Sequence, residues 1–148
     1  MSKHRGNRLW HKILLRLLFL VYLAAMLWLL FGQRWGSNTT RAMNLTPFAT
    51  VKLYWRVLKY SHDKSLLFHS VVNLVGNVVM FIPLGFYAPY LLRSSRNFVR
   101  FLLLMVAVLL TIEVVQYATA LGSLDVDDMI LNMAGVLAGY IVWLCNRR

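Results

Sequence analysis

The chain has 148 residues, 59% of them hydrophobic and 14% charged, with mean hydropathy +0.61 and a formal net charge of +11. A soluble domain usually carries about 45–50% apolar and about 25% charged residues, so an ordinary soluble domain is excluded, and the length allows one domain's worth of structure, residues 1–148. The single cysteine, Cys145, excludes an internal disulfide framework and a thiolate-rich metal site.

A bilayer core of about 30 Å needs about 20 mostly apolar residues per helix. The first such stretch, residues 13–31, carries only Arg16 and follows the basic residues Lys3, Arg5, Arg8 and Lys12. Its apolar run continues past Ala24-Ala25 with no small-residue cleavage pattern, which reads as a retained signal anchor. A long loop, residues 32–70, comes next. Within it Val51, Tyr54, Trp55 and Leu58 fall at helical spacing, with Lys52, Arg56, Lys59 and Asp63 opposite. This predicts an amphipathic helix over about residues 47–60, started by Thr46-Pro47, lying on the membrane surface or across the mouth of a bundle. Three further spans follow at residues 71–92, 101–121 and 129–145; only the second of these, with Glu113, contains a charge.

The positions of the charges give the orientation. Five Lys and Arg lie at the start, six in the long loop, three between the second and third spans (Arg93, Arg96, Arg100), none between the third and fourth, and two at the end. With the N-terminus inside, the short cytoplasmic segments hold ten basic residues and the short outer loop none, as the positive-inside rule requires. The expected fold is therefore an all-α integral membrane protein: a bundle of four transmembrane helices, an interfacial helix in the first outer loop, and both termini cytoplasmic. The basic excess then serves topology and anionic headgroups, and nucleic acid is not an expected partner.

This orientation brings the scarce polar groups of the spans together. His69, Asn73 and Asn77 form an i, i+4, i+8 stripe on the outer half of the second span. Glu113, Gln116, Tyr117 and Ala120 share a face of the third. Asp128, Asn132, Gly135 and Gly139 follow one another on the fourth. Asn77, Glu113 and Asn132 each fall roughly 5–12 Å below the outer boundary. An ionisable residue in a span rarely faces lipid, so Glu113 is expected to look inward. Asn, Gln and Glu also serve as plain interhelical glue, and Asp125 or Asp127 can act as a helix cap; three aspartates in four residues exceed what one cap needs. Gly135 and Gly139 form a small-xxx-small motif that admits a close helix partner.

Known motif strings do not explain the cluster. Asp125-Val-Asp127-Asp128 starts like a calcium loop, but Met129 and Val136 occupy ligand positions. It also matches an acid string of some terpene cyclases, whose large helical cavity this chain cannot build. There is no HExxH, GxxxxGK[ST] or GxSxG. Asp125, Asp127, Asp128 and Glu113 are hard oxygen donors, yet no metal or other cofactor is expected.

Four spaced blocks carry a resemblance. Arg41-x-x-Asn44-Leu-x-Pro47-Phe48, Asn73-x-x-x-Asn77-x-x-x-Phe81-x-Pro83-x-Gly85, Glu113-x-x-Gln116, and Gly122-Ser123-x-Asp125-x-Asp127-Asp128-x-x-x-Asn132-x-x-Gly135-x-x-x-Gly139-Tyr140 resemble, in order, the VanZ-like family of small bacterial membrane proteins. The first span carries no motif, and the stretch before the aspartates lacks an Arg that the family often has there. The resemblance implies a plasma-membrane protein whose namesake raises resistance to the glycopeptide teicoplanin, and it adds Asn44 to the site.

The expected ligand-binding set is Asn44, Asn73, Asn77, Glu113, Gln116, Asp125, Asp127, Asp128 and Asn132. Two functions compete. One is binding or modulation of a cell-envelope lipid or peptidoglycan precursor at the outer face, with membrane lipids or glycopeptide-pathway components as partners. The other is a membrane enzyme of lipid-linked envelope chemistry, with Glu113, Asp127 and Asp128 as catalytic candidates and no recognisable nucleophile. A structural role beside another helix, through Gly135/Gly139, is a third.

Overall fold

The structure, a computed structural model, describes residues 3–32 and 43–147, with backbone alone at residues 3–9, 11 and 12. Arg41 of the first motif block lies outside the described residues. The chain divides into two compact units, Met1–Trp35 and Gly36–Arg148.

The first unit is one helix, α1, Lys3–Phe31. Its segment Ile13–Phe31 is long and apolar enough to cross a membrane. Leu17, Leu18, Val21 and Trp28 stand exposed on it, as side chains facing lipid would. Near the end of α1 the Trp28 ring covers Gly32 so closely that a Cβ there would lie 2.6 Å from it.

The second unit runs β1 (Met43–Asn44), α2 (Ala49–Tyr60), α3 (Lys64–Leu91), a 3₁₀ turn at Arg93–Arg96, α4 (Phe98–Ala118), β2 (Leu124–Asp125) and α5 (Val126–Asn146). Helices α3, α4 and α5 complete the four segments capable of spanning a membrane. They begin at Lys64, Phe98 and Val126, before the apolar runs at 71, 101 and 129, because local caps set the helix starts. Asp63 accepts from the amides of Ser65 and Leu66, Asn97 from Arg100, and Asp125 from Asp127. Each supplies an acceptor to the unpaired first turn, a contribution of about 1 kcal/mol. At 28 residues α3 extends about 42 Å, longer than the hydrocarbon core it has to cross.

Helices α3 and α5 meet backbone to backbone. A Cβ at Gly85 would lie 1.9 Å from the Val136 carbonyl oxygen, at Gly135 2.0 Å from that of Val78, and at Gly139 2.0 Å from that of Ile82. Dispersion contact and interhelical polar bonds hold membrane helices together, and glycine maximises the first. The Gly135/Gly139 face is thus filled by α3 of the same chain. No space remains beside α3 at the two glycines. α4 adds a buried stripe of Phe101, Met105, Leu109, Glu113 and Gln116. At the basic end Phe98, Phe101, Tyr140 and Trp143 stack, with Phe101 and Tyr140 centroids 4.3 Å apart.

The second unit is not wholly helical. β1 and β2 pair in parallel, Met43 opposite Leu124 and Asn44 opposite Asp125. Two residues per strand are too few for a hydrophobic alternation to show in the sequence, and the all-α architecture expected from it stands around this pairing. The turn leading to β2 closes α4 in a Schellman arrangement: Leu121 N–H donates to Gln116 O and Ala120 N–H to Tyr117 O. Ala120 occupies its left-handed position, φ 55°.

A carboxylate and amide cluster as candidate functional site

Asp127 is fully buried. Its Oδ2 accepts from the backbone N–H groups of Thr50 (2.7 Å) and Val51 (3.1 Å), and its Oδ1 from that of Phe48. These amides are the open N-terminus of α2. The residue at the N-cap position, Phe48, has φ 63° and no side-chain acceptor to offer. A carboxylate from α5 therefore caps α2, with negative charge at the positive end of the helix dipole. The Thr46-Pro47 start is corrected accordingly: Ala49 is the first helical residue, and the capping acceptor lies 79 residues from Phe48 in sequence.

Asp125 binds a second set of groups. Its Oδ1 accepts from Asn44 Nδ2 (3.0 Å) and from the Asp127 amide (2.8 Å), while its Oδ2 accepts from Thr50 Oγ1 (2.7 Å). Asn44 Nδ2 also donates to Thr50 Oγ1 at 3.0 Å, closing a triangle of side chains. The β1–β2 pairing sets Asn44 beside Asp125. Below them the Asp125 amide approaches Glu113 Oε2 at 3.4 Å, within a site where Glu113, Asp125 and Asp127 are all buried. Asn77 Nδ2 donates to Asp128 Oδ1 at 2.6 Å, tying α3 to α5, and Asn73 Nδ2 donates to Tyr54 OH at 3.0 Å, tying α3 to α2.

The structure thus brings Asn44, Glu113, Asp125 and Asp127 into one connected cluster and engages Asn73, Asn77 and Asp128 in helix-to-helix bonds beside it. Gln116 is buried one turn from Glu113 on α4. Asn132 is buried on α5, and its Oδ1 has no hydrogen-bond partner among the described residues. His69, at the head of the α3 stripe, is exposed. Among the described residues no three His, Cys, Asp or Glu side chains converge as a metal site would.

Two participants escape sequence reading. Thr50 bridges Asn44 and Asp125, but a single threonine in a helix's first turn has no distinguishing signal. Tyr54 falls on the apolar stripe of α2, where its ring predicts lipid or core contact, and it is the hydroxyl that receives Asn73.

Chemically the cluster joins elements. Both oxygens of Asp125 and both of Asp127 already accept hydrogen bonds, so the arrangement orders α2, β1 and the start of α5 around two carboxylates. α2 itself buries no residue fully, and it holds Lys52, Arg56, Lys59 and Trp55 out into the surroundings.

Four membrane-length helices and a polar cluster at one end define a small multi-pass membrane protein. The chain belongs to the VanZ/LLP1 family, whose model matches residues 17–147. It is 28% identical over 134 residues to Protein VanZ of Enterococcus faecium, covering 86% of this chain and 72% of that protein. No solved structure matches it.

Proposed function

We propose that this protein acts at the outer face of the bacterial plasma membrane, with both termini cytoplasmic, and binds or modulates a cell-envelope lipid or peptidoglycan precursor. The observation that carries this reading is α2, a cationic helix whose exposed Lys52, Arg56 and Lys59 are suited to phosphates and whose N-terminus is pinned by Asp127. The distribution of basic residues supports the orientation. Asn132 Oδ1 offers a buried acceptor near the same end of the helices. Kinship with Protein VanZ supports a link to glycopeptide antibiotics, teicoplanin among them. A general acid or base needs a proton-transfer position facing substrate; the bonds already made by Asp125 and Asp127 favour binding over catalysis.

The test expresses wild type, the triple variant K52Q/R56Q/K59Q, and Glu113→Gln at equal membrane levels, then measures teicoplanin susceptibility and the envelope-lipid profile. Binding predicts a susceptibility change that the triple variant loses, with the lipid profile constant throughout. A lipid species that disappears with Glu113→Gln would establish the enzyme instead. A triple variant indistinguishable from wild type would remove α2 from the function. Orientation is read separately: with Cys145, a free and exposed thiol, replaced by Ser, Ser123→Cys is expected to react with a membrane-impermeant maleimide on intact cells.

A further inference from the structure

The opposite end of the second unit carries its own cationic site. The 3₁₀ turn at Arg93–Arg96, the first turn of α4 and the last turns of α5 border a groove of about 570 Å³. One end of it is polar. Arg96 and Asn97 line it, and Arg96 is rooted by its Nε donating to Pro89 O at 3.3 Å, while its Nη groups make no hydrogen bond among the described residues. Tyr140 OH donates to Arg96 O at 3.2 Å and holds the turn against α5. The rest of the groove is apolar, lined by Phe98, Ile141 and Leu144, which are 49%, 58% and 43% exposed.

Among the described residues no Asp or Glu lies at this end of the unit. Arg96 lines the groove, and Arg93 and Arg100, exposed on the 3₁₀ turn and the first turn of α4, flank it in the chain. The five acids of the sequence are Asp63, Glu113, Asp125, Asp127 and Asp128, and all lie at the far ends of α3, α4 and α5. A cationic head continuous with an apolar furrow complements one class of molecule in both charge and shape. We propose that this groove binds one anionic phospholipid, with its phosphate on Arg96, supported by Arg93 and Arg100, and an acyl chain along Phe98, Ile141 and Leu144. Basic pockets between membrane helices bind anionic headgroups on this principle, each cation contributing about a fivefold gain in affinity. The site is separate from α2 and stands whether or not α2 binds an envelope precursor.

The experiment titrates the full chain, in mild detergent, with phosphatidylglycerol or phosphatidylcholine of matched acyl chains and counts bound lipid by native mass spectrometry. Wild type is expected to retain one phosphatidylglycerol and to discriminate against phosphatidylcholine by more than about tenfold. R93Q/R96Q should weaken phosphatidylglycerol by more than about tenfold, and Ile141→Trp, which fills the furrow without altering charge, should weaken it as well. Lys64→Glu removes the same net charge at the other end and should change nothing. If the double variant does not fold, Arg96→Gln alone should cost about fivefold. The proposal is overturned if the arginine variants retain the lipid as wild type does, or if Lys64→Glu loses it equally. It is also overturned if inorganic phosphate at the same concentration displaces it, which would make the groove an anion site and no lipid site.

Discussion

Removal of the Asp127 carboxylate should release α2 while leaving the three packed helices in place. Asp127→Ala strips the acceptor from three amides, of Phe48, Thr50 and Val51. A lost N-cap costs about 0.5–2 kcal/mol, and each buried donor left unsatisfied about 1–3 kcal/mol. Because some of the amides gain water once α2 moves, a net cost of about 3 kcal/mol is expected. The rest of the hold on the helix is side-chain hydrogen bonding, Thr50 to Asp125 and Asn73 to Tyr54: α2 has 12 residues and none is fully buried, and an isolated helix of that length is marginal in water. Hydrogen exchange of the protein in lipid nanodiscs reads this directly. Amides of residues 49–60 should lose about 100-fold in protection, and those of α3, α4 and α5 less than about threefold. Asp127→Asn keeps one acceptor oxygen but turns an NH₂ group toward amide donors, so its loss should fall between wild type and Asp127→Ala. The reasoning is refuted if α2 keeps its protection in Asp127→Ala, or if protection falls equally throughout, which would make Asp127 a support of the whole fold.

Other perturbations probe the remaining contacts. Gly139→Ala places a Cβ 2.0 Å from a backbone oxygen of α3 and should cost about 1–3 kcal/mol in thermal or denaturant unfolding in detergent; Gly76→Ala, whose nearest neighbour is Val72 Cγ1 at 3.9 Å, should be neutral or stabilise by about 0.5–1 kcal/mol. Ala120→Gly should stabilise by about 1 kcal/mol, since alanine sits there in the left-handed region; a destabilised variant would show that the turn contributes more than its backbone geometry. A double-mutant cycle of Asn77→Ala with Asp128→Ala should return a coupling of about 0.6–1.7 kcal/mol, the range measured between membrane helices, and a coupling of zero would reduce the 2.6 Å contact to mere proximity.

The spans were legible because the bilayer imposes a length and a composition on any helix that crosses it. All four apolar stretches fall on helices, the third running on into the turn that closes α4 after Ala118, and Gly135 and Gly139 sit at a close approach to α3. The helix starts were less so, since hydropathy locates the hydrocarbon layer and Asp63, Asn97 and Asp125 locate the caps. Depth and face placed Asn77, Glu113 and Asn132 at one level; the structure sets Glu113 beside the Asp125 amide and Asn77 on Asp128. What held Asp127 was not legible, because its partners are backbone amides near residue 50, and a peptide N–H looks the same at every position of a sequence. Phe48 gave no warning either: only its positive φ, visible in three dimensions, shows that this helix must find its cap elsewhere.

That distinction changes what an acidic cluster in a membrane protein can be taken to mean. Read by composition, four of five acids gathered at one end of three spans suggest a reactive centre or a cation site. Read by partners, Asp125 joins β1 to α5, Asp127 caps α2, Asp128 holds α3, and Glu113 lies beneath the Asp125 amide. Each carboxylate is compensated by donors, as burial of a charge requires. The cluster thereby makes the position of α2 depend on α5, so any molecule engaging Lys52, Arg56 and Lys59 acts on a helix held by the Asp127 cap together with the Thr50–Asp125 and Tyr54–Asn73 bonds. The Asp127 series measures the part of that hold that the cap contributes.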